Sequence, residues 1–301
     1  MLLLTWFIQC LLVCLCVAFF TLFERKVIGL FMIRLGPNKP GVFGVLTPLL
    51  DALKLFSKQE VIPFQANKTF YSAAPHLALV LSLVVWVGLP RVYFSFRLNY
   101  SFLFFFCISS FLVFPVLLSG WASNSKYSLI GSLRSVAQSI SYESVFRSLV
   151  VLFLLLSSSF SLGSFLFSSS RIFLFVFLPW LICTLAETHR APFDFSESES
   201  ELVRGFNTEY GGAYFSFVFL AEYSILLVSC CLIPVLFCSF AYSFSVLSFS
   251  LAALFLRFVF IWIRITFCRF RYDMLISVSW KVLLPLVLNL IVVYLLVFFL
   301  V

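Results

Sequence analysis

Six of the twelve acidic residues crowd between Glu187 and Glu209, and within that stretch Glu197, Glu199 and Glu201 alternate with serines. On extended backbone all three carboxylates face one way. Like charges that close resist simultaneous ionisation, which raises at least one pKa toward neutrality and suits a group that carries protons. The competing reading is a solvated acidic loop. Glu222 tilts the balance, because it lies about ten residues inside an apolar run. A charge at the centre of a bilayer costs at least ~2.5 kcal/mol, and such residues face polar cavities or proton paths. Glu143, beside Tyr142, repeats the pattern at the start of another run, with an i,i+4 pairing to Arg147 as its structural alternative.

Basic residues accompany the acids. Arg190 follows Glu187 by three residues, and Pro192 then breaks the local helix. Arg264, Arg269, Arg271 and Asp273 form a second charged group at the end of a late apolar run, and Glu24 and Arg25 end the first one. Arginines at membrane depth next to carboxylates imply a hydrated polar pocket. His189 is a candidate ligand or acid/base group without a second histidine nearby, and His76 reads as an interfacial residue. The nine cysteines show no C-x-x-C spacing and sit mostly in apolar runs, where they act as small hydrophobes. No metal site is predicted.

The elements that must position these groups are membrane helices. The 301 residues are 63% hydrophobic and 11% charged, with a mean hydropathy of +1.13, outside the range of soluble domains. A hydrocarbon core about 30 Å thick needs about 20 consecutive apolar residues per helix. Such runs fall at 2–23, 75–96, 101–120, 142–160, 172–186, 213–240, 243–264 and 281–301. The fold class is therefore all-α, a polytopic bundle of about eight transmembrane helices forming a single integral membrane domain over 1–301. The 126–141 segment is too polar to span. Its Leu129, Leu133, Val136 and Ile140 recur at helical spacing, which predicts an amphipathic helix along the interface or on a helix end. Val45 to Phe56 is a second amphipathic candidate in the long first loop.

Fifteen of the twenty Lys and Arg lie in the odd-numbered loops or at their helix ends, three (Arg91, Arg97, Arg171) in even loops, and two (Arg147, Arg257) inside spans. The positive-inside rule places the odd loops in the matrix or cytoplasm and both termini opposite. This bias accounts for the net charge of +8 without any nucleic acid. All twelve acids lie in, or run into the membrane from, that same side. Phe, at 42 copies, alongside Leu, Ser and Val, suggests a thymine-rich coding strand of the kind common in organelle genomes.

Long ordered motifs then carry a family resemblance. Glu24-Arg25-Lys26-Val27-Ile28-Gly29, Arg34-Leu35-Gly36-Pro37-Asn38 and Asp51-Ala52-Leu53-Lys54-Leu55-Phe56 resemble the first matrix loop of the subunit 1 (H-type) membrane subunits of respiratory complex I. Ile130 to Gln138, Ser141-Tyr142-Glu143, Ala186 to Asp194, Glu199 to Tyr210, Ala221-Glu222-Tyr223 and Trp262 to Asp273 match its later loops. The resemblance runs from end to end. It implies a core subunit of proton-pumping NADH:ubiquinone oxidoreductase in the mitochondrial inner membrane, and ubiquinone as substrate. Partners would be the quinone-site subunits of the peripheral arm, neighbouring membrane-arm subunits and lipid. NADH, FMN and iron–sulfur clusters would sit on other subunits. Arg25, Arg34, Asp51, Phe219, Tyr223 and Arg264 would line the quinone tunnel. Glu24, Glu143, Glu187, Arg190, Asp194, Glu197, Glu199, Glu201, Glu209, Glu222, Arg269, Arg271 and Asp273 would form the proton and coupling path. The chain departs from the family at His189, usually Asn, at Arg204, usually small, and at Glu60, whose acid is displaced by one residue. A secondary transporter with inverted repeats and a quinone-free membrane subunit of an ion-pumping hydrogenase are the alternatives.

Overall fold

The computed structural model describes residues 2–89, 99–157, 160, 173–194, 205–237 and 246–300. Among them every regular element is helical. The chain runs through α1 (Leu2–Phe31), α2 (Thr47–Ser57), α3 (Lys68–Val85), α4 (Ser101–Phe111), α5 (Val113–Ala122), α6 (Lys126–Ser157), α7 (Phe173–Glu187), α8 (Gly212–Phe237), α9 (Val246–Thr266), α10 (Tyr272–Val278) and α11 (Leu284–Leu300). Among the described residues seven helical stretches are long and apolar enough to cross a membrane, and Phe175–Glu187 is a further, shorter apolar helix.

Four boundaries differ from the sequence expectation, one of them that of α3, which begins at Lys68 and not at 75. Helix α1 does not stop at Phe23 but continues two turns further, so Glu24, Arg25 and Lys26 lie within it. The last span begins at Tyr272 and passes through a π-helical turn at Ser279–Leu283. The largest correction concerns 126–141. This segment is no separate interfacial helix; it forms the first half of the continuous α6. Its outward residues are the apolar ones, Leu129, Leu133 and Ile140, while Ser128, Ser132, Ser135 and Gln138 are buried. The amphipathicity is real but inverted, apolar outward and polar inward, as suits a helix with lipid outside and a polar interior. Helix α2 fits the other amphipathic candidate, with Pro48 in its first turn and exposed Leu49, Leu50, Leu53 and Phe56.

The bundle is organised around α8, the most buried of the described spans. It packs against α1, α2, α3, α7 and α9. Farther along the bundle, Trp180 of α7 sits among Phe106, Phe146, Phe153 and Phe237, with the Phe146 ring centre 4.6 Å away. The span from Ser101 to Ala122 breaks at Leu112. Pro115 has no N–H to offer the carbonyl of Phe111, four residues back, and this favours the break. The 3₁₀ turn Gly205–Asn207 presses onto α6, and a Cβ on Gly131 would lie 2.7 Å from the Gly205 Cα. Only hydrogen fits there, and Gly205 itself sits at φ +59°, a conformation glycine adopts without strain.

Candidate functional site

Helix α8 carries Glu222 and Tyr223 as consecutive residues, about 100° apart around the axis, and so delivers them to different faces. Tyr223 turns toward α1 and α9. Its hydroxyl donates to Glu24 Oε2 at 2.7 Å, and the same carboxylate forms an ion pair with Arg264 through Oε1. Glu24 is buried. Burying a carboxylate without partners would be costly, so the phenol and guanidinium together explain how an acid persists there. Phe20 packs edge-on to the Tyr223 ring at 5.9 Å, and Phe219 lies 4.5 Å away. Three predicted tunnel residues, Phe219, Tyr223 and Arg264, thus meet around Glu24.

Glu222 turns toward α6 and α7. Its Oε2 lies 3.6 Å from Nη2 of Arg190. The same guanidinium stacks 4.1 Å from the centre of the Tyr223 ring and 5.8 Å from that of Phe219, a cation–π geometry favoured where water is scarce. Arg190 therefore touches both groups that α8 splits apart. It reaches them from a tight loop after α7, closed by Thr188 N–H to Thr184 O and Phe193 N–H to Arg190 O at 2.8 Å.

Beyond Glu222 lies a cavity of about 80 Å³, lined on its polar side by Ser109, Ser135, Ser139, Glu187, Thr188 and His189. It opens against the break at Leu112. A second cavity of about 30 Å³ adjoins Tyr142, Glu143 and Phe146. Ser109, Val113, Ser139 and Glu187 line both, so Glu187 stands between a chamber reaching Glu222 and one reaching Glu143. At roughly one water per 10–15 Å³ of such volume, the larger chamber accommodates several waters. Glu143 also accepts from Arg147 at 2.6 Å. The i,i+4 pairing anticipated as a structural alternative is present and coexists with the cavity.

His189 has positive φ, +49°, and its buried Nδ1 has no hydrogen-bond partner among the described residues. Burial, reinforced by the neighbouring Arg190 charge, lowers its pKa to about 4 and keeps the ring neutral near pH 7.

The remaining predicted residues are dispersed. Arg25 and Asp51 pair at 2.8 Å, but both are half exposed. Arg34 is exposed on the turn that follows α1. Arg269 reaches Asp194 at 3.6 Å, and Arg271 reaches Asp273 at 3.6 Å on the surface. The rings of Phe193 and Phe270 stack at 5.7 Å beside the first of these pairs. Glu209 is exposed and lines neither cavity. Its backbone carbonyl accepts from Tyr71, whose ring stacks on Tyr210 at 4.3 Å. Glu197, Glu199, Glu201 and Arg204 lie outside the described residues. Ser109, Ser135, Ser139 and Thr188 were not singled out from the sequence. The available signal was polar side chains recurring inside helices that otherwise read as membrane-facing.

Residues 4–295 match the family model described as NADH dehydrogenase, and the chain belongs to that family. It is similar to proteins named NADH-ubiquinone oxidoreductase chain 1. One, from Anopheles gambiae, is 46% identical, covering 91% of this chain and 88% of its own length. Another, from Osphranter rufus, is 45% identical over 92% and 90%, and one from Aedes aegypti is 44% identical over 91% and 88%.

Proposed function

We propose that the chain is the membrane subunit of a proton-translocating NADH:ubiquinone oxidoreductase that lines the ubiquinone tunnel and begins the acidic path into the membrane arm. The single observation that carries this reading is Arg190, which touches Tyr223 on the tunnel side of α8 and Glu222 on the acidic side. The names of the relatives and the family match favour it over the transporter and hydrogenase alternatives.

Reduction of a quinone to a quinol takes up two electrons and two protons at the headgroup. The electrons come from NADH through FMN and iron–sulfur clusters on other subunits. In this chain, Phe219 and Tyr223 offer flat apolar surface to the ring and tail, and Arg264 and Glu24 hold a charge pair beside them. Proton uptake changes the charge next to Tyr223. Arg190 feels that change through the ring and passes it to Glu222, since one cation shared by two acceptors cannot favour both equally. Water between Glu222, Glu187 and Glu143 then carries the response inward. Arg25, Arg34 and Asp51 lie at the tunnel mouth on the matrix side of the inner membrane, where the peripheral-arm subunits dock. Neighbouring membrane-arm subunits and lipid cover the outward helix faces.

Glu222→Gln and Glu187→Gln preserve shape and remove titration. In assembled complexes, both should lower quinone-linked turnover and proton uptake into closed vesicles together. NADH oxidation by a hydrophilic acceptor should survive. Normal pumping in both variants would leave these carboxylates with a structural role only and would sink the path.

A further inference from the structure

The loop that presents Glu187, His189 and Arg190 is held at both ends by one side chain on another helix. Gln138 of α6 is fully buried. Its Nε2 donates to the carbonyl of Ala186 at 3.0 Å and to that of Phe193 at 2.9 Å. A primary amide has two N–H hydrogens, and here each has its own acceptor. The orientation is fixed by that pattern, because the reversed amide would set its oxygen against two carbonyl oxygens. Ala186 and Phe193 bracket residues 187–192. Within the bracket His189 N–H bonds Ala186 O at 3.3 Å and Phe193 N–H bonds Arg190 O at 2.8 Å. From outside, Phe270 N–H bonds Pro192 O at 3.2 Å.

We propose that Gln138 is a positioning residue for Arg190, a staple that sets how far the guanidinium reaches onto Tyr223 and Glu222. The inference rests on the reading of Arg190 given above. The contact to Glu222, at 3.6 Å, is already long for a hydrogen bond, so a small outward movement of the loop ends it. Neither a hydrophobic side chain nor a carboxylate of the same length reproduces the staple. Methionine has no donor, and glutamate has none when ionised and one when protonated.

The test uses the intact, assembled complex in membranes, with quinone-linked turnover as the readout. Gln138→Met should lower turnover about tenfold, since misplacing a positioned group by about 1 Å costs up to 10²-fold. NADH oxidation by a hydrophilic acceptor should be unchanged. Because Gln138 acts through Arg190, the double variant Gln138→Met/Arg190→Gln should be no slower than Arg190→Gln alone. Full turnover in assembled Gln138→Met, or losses that multiply in the double variant, would overturn the proposal. Should Gln138→Met fail to assemble, Gln138→Asn retains an amide but shortens its reach. It should cost a few-fold with the same non-additivity, and wild-type turnover or multiplied losses there would equally overturn it. Normal turnover in Arg190→Gln would instead sink the functional reading on which the staple depends.

Discussion

Glu24 and Arg25 are consecutive on α1, yet each holds an oppositely charged partner in a different environment. Glu24 faces inward and shares its carboxylate between Arg264 and Tyr223. Arg25 faces outward and pairs with Asp51, each side chain about half exposed, 52% and 50%. The difference is one of solvent. In the exposed pair, water competes with the partner, and the net contribution to stability is about 0–1 kcal/mol. In the buried pair, desolvation is offset only while both partners remain, so losing one strands the other. A charged side chain inside this bundle is therefore best understood by who neutralises it, and one outside by what it can meet.

That contrast can be broken at its strong end first. Arg264→Leu leaves the Glu24 carboxylate buried beside a single phenol. Stability should fall by about 3 kcal/mol, toward the lower end of values for a broken buried pair because Arg264 is itself 33% exposed. Denaturation of the reconstituted chain in mixed detergent, followed by circular dichroism, measures this. The double variant Glu24→Leu/Arg264→Leu should recover much of the loss, and a double variant worse than Arg264→Leu would show that the two residues do not act as a pair.

A comparable but pH-dependent effect follows from His189. Its folded pKa of about 4 lies below the ordinary value of 6.5. Between those values the unfolded chain binds a proton that the folded chain does not. The stability tied to the neutral ring is complete above about pH 6.5 and is lost as pH falls toward 4, on the order of 3 kcal/mol. His189→Asn, which accepts the positive φ readily, should be less sensitive to acid over that window. Equal acid sensitivity in the two proteins would show that His189 is not held neutral.

At the exposed end, Arg25→Ala should change stability by less than about 1 kcal/mol. Quinone-linked turnover should nevertheless fall, if the residue shapes the tunnel mouth. Loss of stability without loss of turnover would reverse the assignment. Weakest of all is Arg271→Ala, whose pair with Asp273 is almost fully solvated. It should stay within about 0.5 kcal/mol of the parent in the same denaturation.

Much of the architecture was legible from apolar run length, because a bilayer imposes a length requirement that few other environments do. In the 126–141 segment, periodicity reports that two faces differ, not which one faces the interior. In water the apolar face is buried, whereas here Ser128, Ser132, Ser135 and Gln138 are. Site residues were legible by type and depth, and partners were not. Arg264 stands in sequence with Arg269, Arg271 and Asp273, yet it pairs with Glu24, and Glu222 lies beside Arg190. Those choices depend on how α1, α8 and α9 rotate against one another, which no local pattern records. Gln138 stood within a recognised motif, but its two acceptors are 48 and 55 residues away.

The serines of α6 have a mechanical consequence. Ser132, Ser135, Ser139, Ser141, Ser144 and Ser148 each donate to the carbonyl three residues earlier in their own helix. Ser135 and Ser139 border the larger cavity, Ser141, Ser144 and Ser148 fall on the opposite side of the helix, and among the described residues none of the six hydroxyls bonds a neighbouring helix. A shift of α6 along or around its axis would therefore strand none of their donors, and the bonds it would strain include those of Ser128 to Gly120 O, Tyr142 to Leu275 O and Gln138. Gln138, on the same helix, would turn such a shift into a pull on the loop that holds Arg190. In engineering terms, the serines make α6 a low-friction bearing and the glutamine is its linkage.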